Sequence, residues 1–185
     1  EHFTRIFRVR PELIARDMHP GYLTTRWADG YAAKHGLPVI PVQHHHAHIA
    51  GVMAEHGLGP DDRVIGVALD GTGYGTDGTI WGGEVLLAGY AKFERIGMLR
   101  PAPLPGGDAA IRRPYRVALA HLWAAGIEWD EALPPVAACP PEERRILKRQ
   151  LETGLNTVPT SSMGRLFDAA AALTGVRQTV TYEAQ

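Results

Sequence analysis

Cysteine is almost missing: the 185-residue chain has a single one, Cys139. That excludes a disulfide framework, a CxxC zinc ribbon and a redox pair, and it fits a reducing, cytoplasmic compartment. No apolar run approaches the roughly 20 residues that span a bilayer. The opening EHFTRIFRVR also lacks the charged-then-apolar order of a signal peptide, so the sequence provides no membrane association of its own. An excess of either charge is absent as well. A net charge of -1 gives no field for nonspecific binding to nucleic acid, and no local basic patch supplies one. Internal repeats and low-complexity tracts are lacking. The remainder is ordinary globular material, 45% apolar and 21% charged residues, enough to bury a core. The ends read as cut, since the chain starts inside an amphipathic pattern and stops at TVTYEAQ without a polar tail. We expect a part of something larger.

Along the chain, helical and extended patterns alternate over the first 66 residues in the manner of a layered α/β domain with parallel strands. Residues 1–8 read as the end of a helix, 12–18 as a strand and 21–35 as a helix closed by Gly36. A buried strand over 37–42 then leads into a helix over 44–56, stopped by Gly57. The architecture changes near Arg63. A strand over 63–69 runs into a tight stretch of Gly, Thr and Asp, followed by strands over 79–91 and 92–99. A Pro and Gly loop is expected over 101–107, and Asp108 as the N-cap of one long helix over 109–125. A Pro-rich loop over 134–141, a charged helix over 142–153 and a last helix over 164–173 complete the pattern.

Two stretches carry chemistry. In HHHAH, His44 and His48 are at i and i+4, so one helical face presents both rings to a single cation. They follow a strand directly, which puts them at the carboxyl edge of a parallel sheet, where open α/β folds bind ligands. Capping or packing explains such a pair equally well. His45 stands where the HExxH motif needs a glutamate, which excludes that protease chemistry. His45 and His46 point to other faces, as packing or outer-sphere groups. A third donor is needed for an open metal site, and Asp70, at the end of the next strand, is the nearest attractive one.

The second stretch is DGTGYGTDGT, residues 70–79. Its glycines let backbone N–H groups turn inward around an anion, and Thr72, Thr76 and Thr79 add small donors. It has no P-loop lysine and precedes strand rather than helix, so neither a Walker loop nor a dinucleotide fingerprint is supported. A hairpin turn with a bulge is the plain alternative. Gly164, Arg165 and Asp168 open the last helix, where amide ends and the dipole attract an anion or a ribose hydroxyl, although capping and exposure account for them too. Arg112, Arg113 and Arg116 form a cationic cluster suited either to a phosphate or carbamoyl group or to a solvated helix face. Asp17 and His19 are further candidates for the site edge. Cys139, among prolines and alanines, has no basic neighbour to lower its pKa and reads as a small buried residue.

Taken together, VQHHHAHIAGVMAEHG, VIGVALDGTGYGTDGTIWGGE, LRPAPLPGGDAAIRRPYR and PTSSMGRLFDAAAALTG resemble the carbamoyltransferase domain of the HypF hydrogenase maturation factors. The HHHAH and GRLFD elements are more distantly similar to those of tRNA threonylcarbamoyl transferases and antibiotic O-carbamoyltransferases. The resemblance implies an α/β fold of the actin-like (ASKHA) ATPase type, in truncated form. Residues 1–62 would end a first subdomain bearing the metal-ligand helix, and 63–185 would begin a second with the phosphate-binding hairpin and a helical insertion.

It also implies transfer of a carbamoyl group from carbamoyl-adenylate, made from carbamoyl phosphate and ATP, to the C-terminal cysteine of HypE. That step belongs to the synthesis of the cyanide ligand of nickel-iron hydrogenases. His44, His48 and Asp70 would hold a divalent metal, iron or zinc. Asp70, Gly71, Thr72, Gly73, Gly164 and Asp168 would meet the nucleotide and its phosphate. No nucleophile of this chain is implied, because the acceptor brings one. The cysteine-rich domains of the family and the C-terminal part of the transferase domain have no counterpart here. A site open on one side, with weak or no metal and nucleotide binding by this chain alone, is the resulting expectation. Two other readings belong to the same fold: a nucleotide-binding module without turnover, and a threonylcarbamoyl transferase acting on tRNA.

Overall fold

The computed structural model describes residues 2–182 and 185. Glu1, the first residue of the expected N-terminal helix, lies outside them. The chain begins with helix α1 (His2–Phe7), strand β1 (Ile14–Asp17), helix α2 (Leu23–His35), strand β2 (Val39–Val42) and helix α3 (His44–Glu55). β1 and β2 pair in parallel, Ile14 opposite Val39 and Asp17 opposite Val42, so Asp17 and the start of α3 emerge at one edge. α2 ends at Gly36, whose φ of 65° is the left-handed closure anticipated for a glycine there. α3 is capped by Gln43, whose side chain accepts the His46 N–H.

A second sheet follows, built from β3 (Val64–Tyr74), β4 (Ile80–Ala88), β5 (Phe93–Met98), β6 (Ala102–Pro105) and β7 (Thr157–Thr160). Its order is β3-β4-β7-β6, with β5 also paired to β4. All pairs are antiparallel except β4 with β7. Alternation along β3 sends Val64, Gly66 and Ala68 toward α3 and leaves Ile65, Val67 and Leu69 exposed. Ile49 and Met53 of α3 pack there against Ala68, Trp81 and Leu86.

The helical part consists of α4 (Asp108–Arg112), α5 (Pro114–Ala124), α6 (Pro134–Ala138), α7 (Pro141–Thr153) and α8 (Met163–Leu173). α5 and α8 meet through small side chains, with Val117 and Ala118 against Ala169 and Ala172. α7 is charged and buries only Leu147 and Leu151, four residues apart on one face. They close a core with Tyr115, Leu119 and Val136.

Four expectations change. The long helix over 109–125 is two helices, because Pro114 has no N–H to donate and its ring excludes a preceding helical turn. Arg113 is accordingly extended at φ -131°, ψ 77°, and Pro114 takes the first position of α5. Asp108 is the first residue of α4, and the cap position is Gly107. The loop over 101–107 contains β6, and its prolines are tolerated because β6 lies at the end of the strand order and pairs only with β7. The Pro-rich loop over 134–141 includes the short helix α6. β7, four residues with a proline, had no strand signal.

Candidate functional site

The motif DGTGYGTDGT divides into two devices. Its second half is the hairpin turn, in which Gly75 N–H reaches the Thr79 carbonyl and Gly78 N–H the Gly75 carbonyl. Asp77 fixes this turn by accepting from Thr79 N, Thr79 Oγ1 and Trp81 Nε1 at 3.0, 2.7 and 2.9 Å. Burial opposes its charge, but these bonds and the Arg95 guanidinium hold its carboxyl below the usual carboxylate range. The first half is a bulge. Leu69 pairs with Gly83 and Gly73 with Trp81, so Asp70, Gly71 and Thr72 together oppose the single Gly82. Bulges of this kind re-aim a side chain, and here the re-aimed residue is Asp70.

Glycine at 82 makes the bulge possible. A Cβ there would lie 2.5 Å from the Asp70 carbonyl oxygen and 2.9 Å from Ser162 Cα, both backbone atoms that cannot swing away. Gly82→Ala is expected to destabilise the protein by about 1–3 kcal/mol, the range of overpacking, read as a lower midpoint in urea. An unchanged midpoint would show that the bulge yields freely.

Asp70 faces three imidazoles. Its Oδ2 lies 3.1 Å from His44 Nε2, 3.6 Å from His45 Nε2 and 3.8 Å from His48 Nε2. The two Nε2 atoms of His44 and His48 are 3.2 Å apart. Among the described residues, His44, His48 and Asp70 form a group able to hold one cation. Bonds of about 2.0–2.2 Å at right-angled to tetrahedral coordination put ligand atoms about 2.8–3.6 Å apart. Two of the three edges, 3.1 and 3.2 Å, fall inside that span and the third, 3.8 Å, just outside. The donor set fits a divalent transition metal and leaves coordination positions open.

Two further groups shape this cluster. Asp17 Oδ2 is 2.9 Å from His44 Nδ1; a carboxylate only accepts, so the Nδ1 proton is fixed there and Nε2 is turned to Asp70 and His48. Asp17 Oδ1 in turn accepts the His19 N–H at 2.7 Å. Asp17 therefore belongs to the site. His19 does not reach it, since its Nδ1 accepts from Gly21 N–H and its ring stacks on Tyr22. His46 is a packing group, its Nε2 donating to the Gly89 carbonyl at 2.7 Å.

His45 is fully buried, and burial, reinforced by His44, lowers its pKa. Burial also lowers that of His121 on α5. Groups whose folded pKa lies below the free value of 6.5 give stability that is complete above pH 6.5 and is lost as the pH falls toward the lowered value. Asp77 and Glu143, also depressed, act only below their ordinary values of 3.8 and 4.5. Unfolding midpoints should therefore fall on acidification from 6.5 to 4.5, by at most about 1.4 kcal/mol per pH unit and group. His121→Leu should flatten that fall. A flat parent profile over the same range would contradict the burial of neutral rings.

The other face of the bulge meets the start of α8. Ser162 caps this helix by accepting the Arg165 N–H at 3.1 Å, and its Oγ lies 2.7 Å from the Gly71 carbonyl. Gly164 permits the approach: a Cβ on it would be 2.8 Å from Gly71 Cα. Between them lies a cleft of about 580 Å³ bordered by Asp70, Gly71, Gly164, Arg165 and Asp168. The positive end of α8 borders the cleft. Arg165 is buried rather than surface-exposed, and its Nε is 2.6 Å from Asp168 Oδ2. Gly71 N–H is already donated to Asp70 Oδ1 at 2.6 Å, while Thr72 is exposed. Gly73 is buried because the His45 ring takes the space of its missing Cβ.

The arginine cluster serves the scaffold. Arg113 and Arg116 both pair with Glu143 on α7, and Arg116 also reaches Gln150 and the Pro105 carbonyl. Arg116 is buried in this network, whereas Arg113 keeps an exposed side chain and Arg112 is exposed as well, so the solvated-face reading holds for those two. Cys139 is buried, its thiol pushed up to about 11 by burial, as befits an unreactive core residue.

A parallel βα pair that delivers a histidine helix to a bulged antiparallel hairpin, with a capped helix closing the far side, defines a Kae1-like α/β domain, consistent with a truncated ASKHA fold. Residues 66–185 match the family described as "Carbamoyltransferase, Kae1-like Domain, second subdomain", and residues 1–55 match "HypF Kae1-like domain". The chain belongs to the HypF carbamoyltransferase family. It is 48% identical to carbamoyltransferase HypF2 of Cupriavidus necator over all of this chain and 22% of that protein. Against carbamoyltransferase HypF of Rhizobium leguminosarum it is 45% identical, again over all of this chain and 23% of the relative. A crystal structure of full-length HypF in the phosphate- and nucleotide-bound form superposes with a TM-score of 0.89 at 48% identity, over 98% of this chain and 23% of that one. The structure of T. kodakarensis HypF gives 0.84 at 41% identity, over 100% and 25%. The chain thus spans about a quarter of the length of these relatives.

Proposed function

We propose that this chain forms the metal and phosphate side of a carbamoyl-transfer site, working within a cytoplasmic protein of its relatives' length. The donor would be carbamoyl-adenylate, made from ATP and carbamoyl phosphate, and the acceptor the C-terminal cysteine of HypE, in hydrogenase maturation. The observation that carries the reading is the double position of Asp70. It faces His44 and His48 on one side and borders the cleft under α8 on the other. The relative crystallised with phosphate and nucleotide supports a nucleotide in such a fold.

When bound, an iron or zinc ion would act as a Lewis acid on an oxygen of the mixed anhydride. His44, His48 and Asp70 would hold it, with Asp17 keeping the His44 ring oriented. Gly71 and Gly164 would line the phosphate path, where the α8 amide end favours negative charge. Asp168, paired with Arg165, would stand toward the ribose. Attack by the acceptor thiolate forms the C–S bond as the C–O bond to AMP breaks. No nucleophile of this chain is required, in keeping with the buried, unreactive Cys139.

The test uses the chain extended to its relatives' length, with ATP, carbamoyl phosphate and HypE. One carbamoyl group should add to the HypE C-terminal peptide by mass spectrometry. ATP consumption without any mass gain would leave only a nucleotide-binding module.

A further inference from the structure

Gln43 has its amide orientation forced from two directions. Its Oε1 accepts the His46 N–H at 2.9 Å, and its Nε2 donates to the Tyr74 carbonyl at 3.2 Å. The same Nε2 lies 3.2 Å from His45 Nδ1. A donor facing Nδ1 requires a lone pair there, so a neutral His45 carries its proton on Nε2. That Nε2–H is buried with no hydrogen-bond partner among the described residues. The nearest carboxylate oxygen facing it is Asp70 Oδ2, 3.6 Å away and beyond bonding distance. An unsatisfied buried donor is costly, and polar groups in interiors are generally paired. This one is held ready for an acceptor at the site.

We infer that His45 is a positioning residue for Asp70: Gln43 fixes its Nε2–H tautomer, and that N–H closes onto the Asp70 carboxylate when Asp70 ligates a divalent metal. His44 and His45, adjacent in sequence, then have opposite assignments. Asp17 takes the proton side of His44 and leaves Nε2 to ligate, whereas Gln43 takes the lone-pair side of His45 and leaves Nε2 to donate. Ligating carboxylates are themselves hydrogen-bonded, and loss of such a partner lowers metal affinity by about 10–100-fold. Gly73 has a part in this, since any side chain there would displace the His45 ring.

The inference rests on the reading of Asp70 as a ligand, and two measurements separate the failure of each. Two-bond proton–nitrogen spectra of the histidine rings in the chain, with His45 assigned by its loss in His45→Gln, need no metal. The His45 proton is expected on Nε2, and Gln43→Glu, which can cap α3 but only accepts at Nδ1, should move it to Nδ1. A parent with the proton on Nδ1 would overturn the inference. Zinc affinity is then measured in the chain at its relatives' length. His45→Gln, which keeps a donor near the Nε2 position, should stay close to the parent, while His45→Leu should bind about 10–100-fold more weakly. Equal affinity of His45→Leu and parent, or equal loss in both variants, would overturn it. A parent that takes up no zinc would count against the ligand reading of Asp70, leaving the ring-nitrogen result to decide the tautomer.

Discussion

Asp70→Ala is expected to abolish metal uptake in the protein of full family length, and with it carbamoyl transfer. The loss should exceed the roughly 10–100-fold that follows from removing an outer-sphere partner, because Asp70 supplies the only negative charge among the three proposed ligands. Its Oδ2 lies within 4 Å of three imidazole nitrogens, and its Oδ1 is pinned by the Gly71 N–H. Of the donors this chain offers at the site, His44 and His48 then remain, two imidazoles on one helix face. Two such ligands have little hold on a divalent cation in competition with water. Asp17→Ala should weaken binding less, since it frees the His44 ring to rotate but removes no ligand. Metal content by elemental analysis and zinc affinity by chelator competition check both. An Asp70→Ala protein that retains one tightly held metal would place the centre elsewhere.

Arg95→Met should cost about 3–5 kcal/mol of stability, the range found when one partner of a buried ion pair is removed. Glu84 has no solvent exposure, and its Oε2 takes the Arg95 Nε at 2.6 Å. Its Oε1 takes Ser161 Oγ together with the Gly82 and Gly83 amides. Arg95 also lies 4.2 Å over the Trp81 ring and pairs with Asp77 in the hairpin turn. One guanidinium thus joins β4, β5 and the turn, while Glu84 reaches the segment that leads into α8. Removing the cation strands a carboxylate in the core. Adding Glu84→Gln to Arg95→Met should restore part of the loss, because a whole buried pair is worth far less than half of it costs. Denaturant unfolding gives both values. A single variant within about 0.5 kcal/mol of the parent, the usual range for surface changes, would show that water reaches Glu84.

The sequence shows the proposed ligands more plainly than what holds them. His44 and His48 are legible because helical spacing alone puts them on one face, and Asp70 because it ends an apolar strand. Asp17 carries a weaker signal, as it ends a strand whose partner precedes the histidine helix. Gln43 carries none: its role depends on the Tyr74 carbonyl, 31 residues away, which no local pattern can indicate. The glycines of the hairpin look alike in sequence, yet Gly73 makes room for His45, Gly75 closes the turn and Gly82 admits the bulge.

Charge reads poorly for the same reason. Arg113 and Arg116 resemble an anion site until α7 brings Glu143 against them, and Arg165 resembles a surface residue until Asp168 and the fold bury it. The break at Pro114 was available from proline chemistry alone. β6 and β7 were not, because strands of four residues that contain proline acquire their identity only from pairing, β6 with β7 and β7 also with β4.

The most direct measurement is an anomalous-difference map, at the iron and zinc edges, of crystals of the chain at its relatives' length grown with ATP. One peak is expected, about 2.0–2.2 Å from ligand atoms of His44, His48 and Asp70. A map with no peak at these three residues, or with its peak on other side chains, would contradict the metal centre and the transfer chemistry built on it.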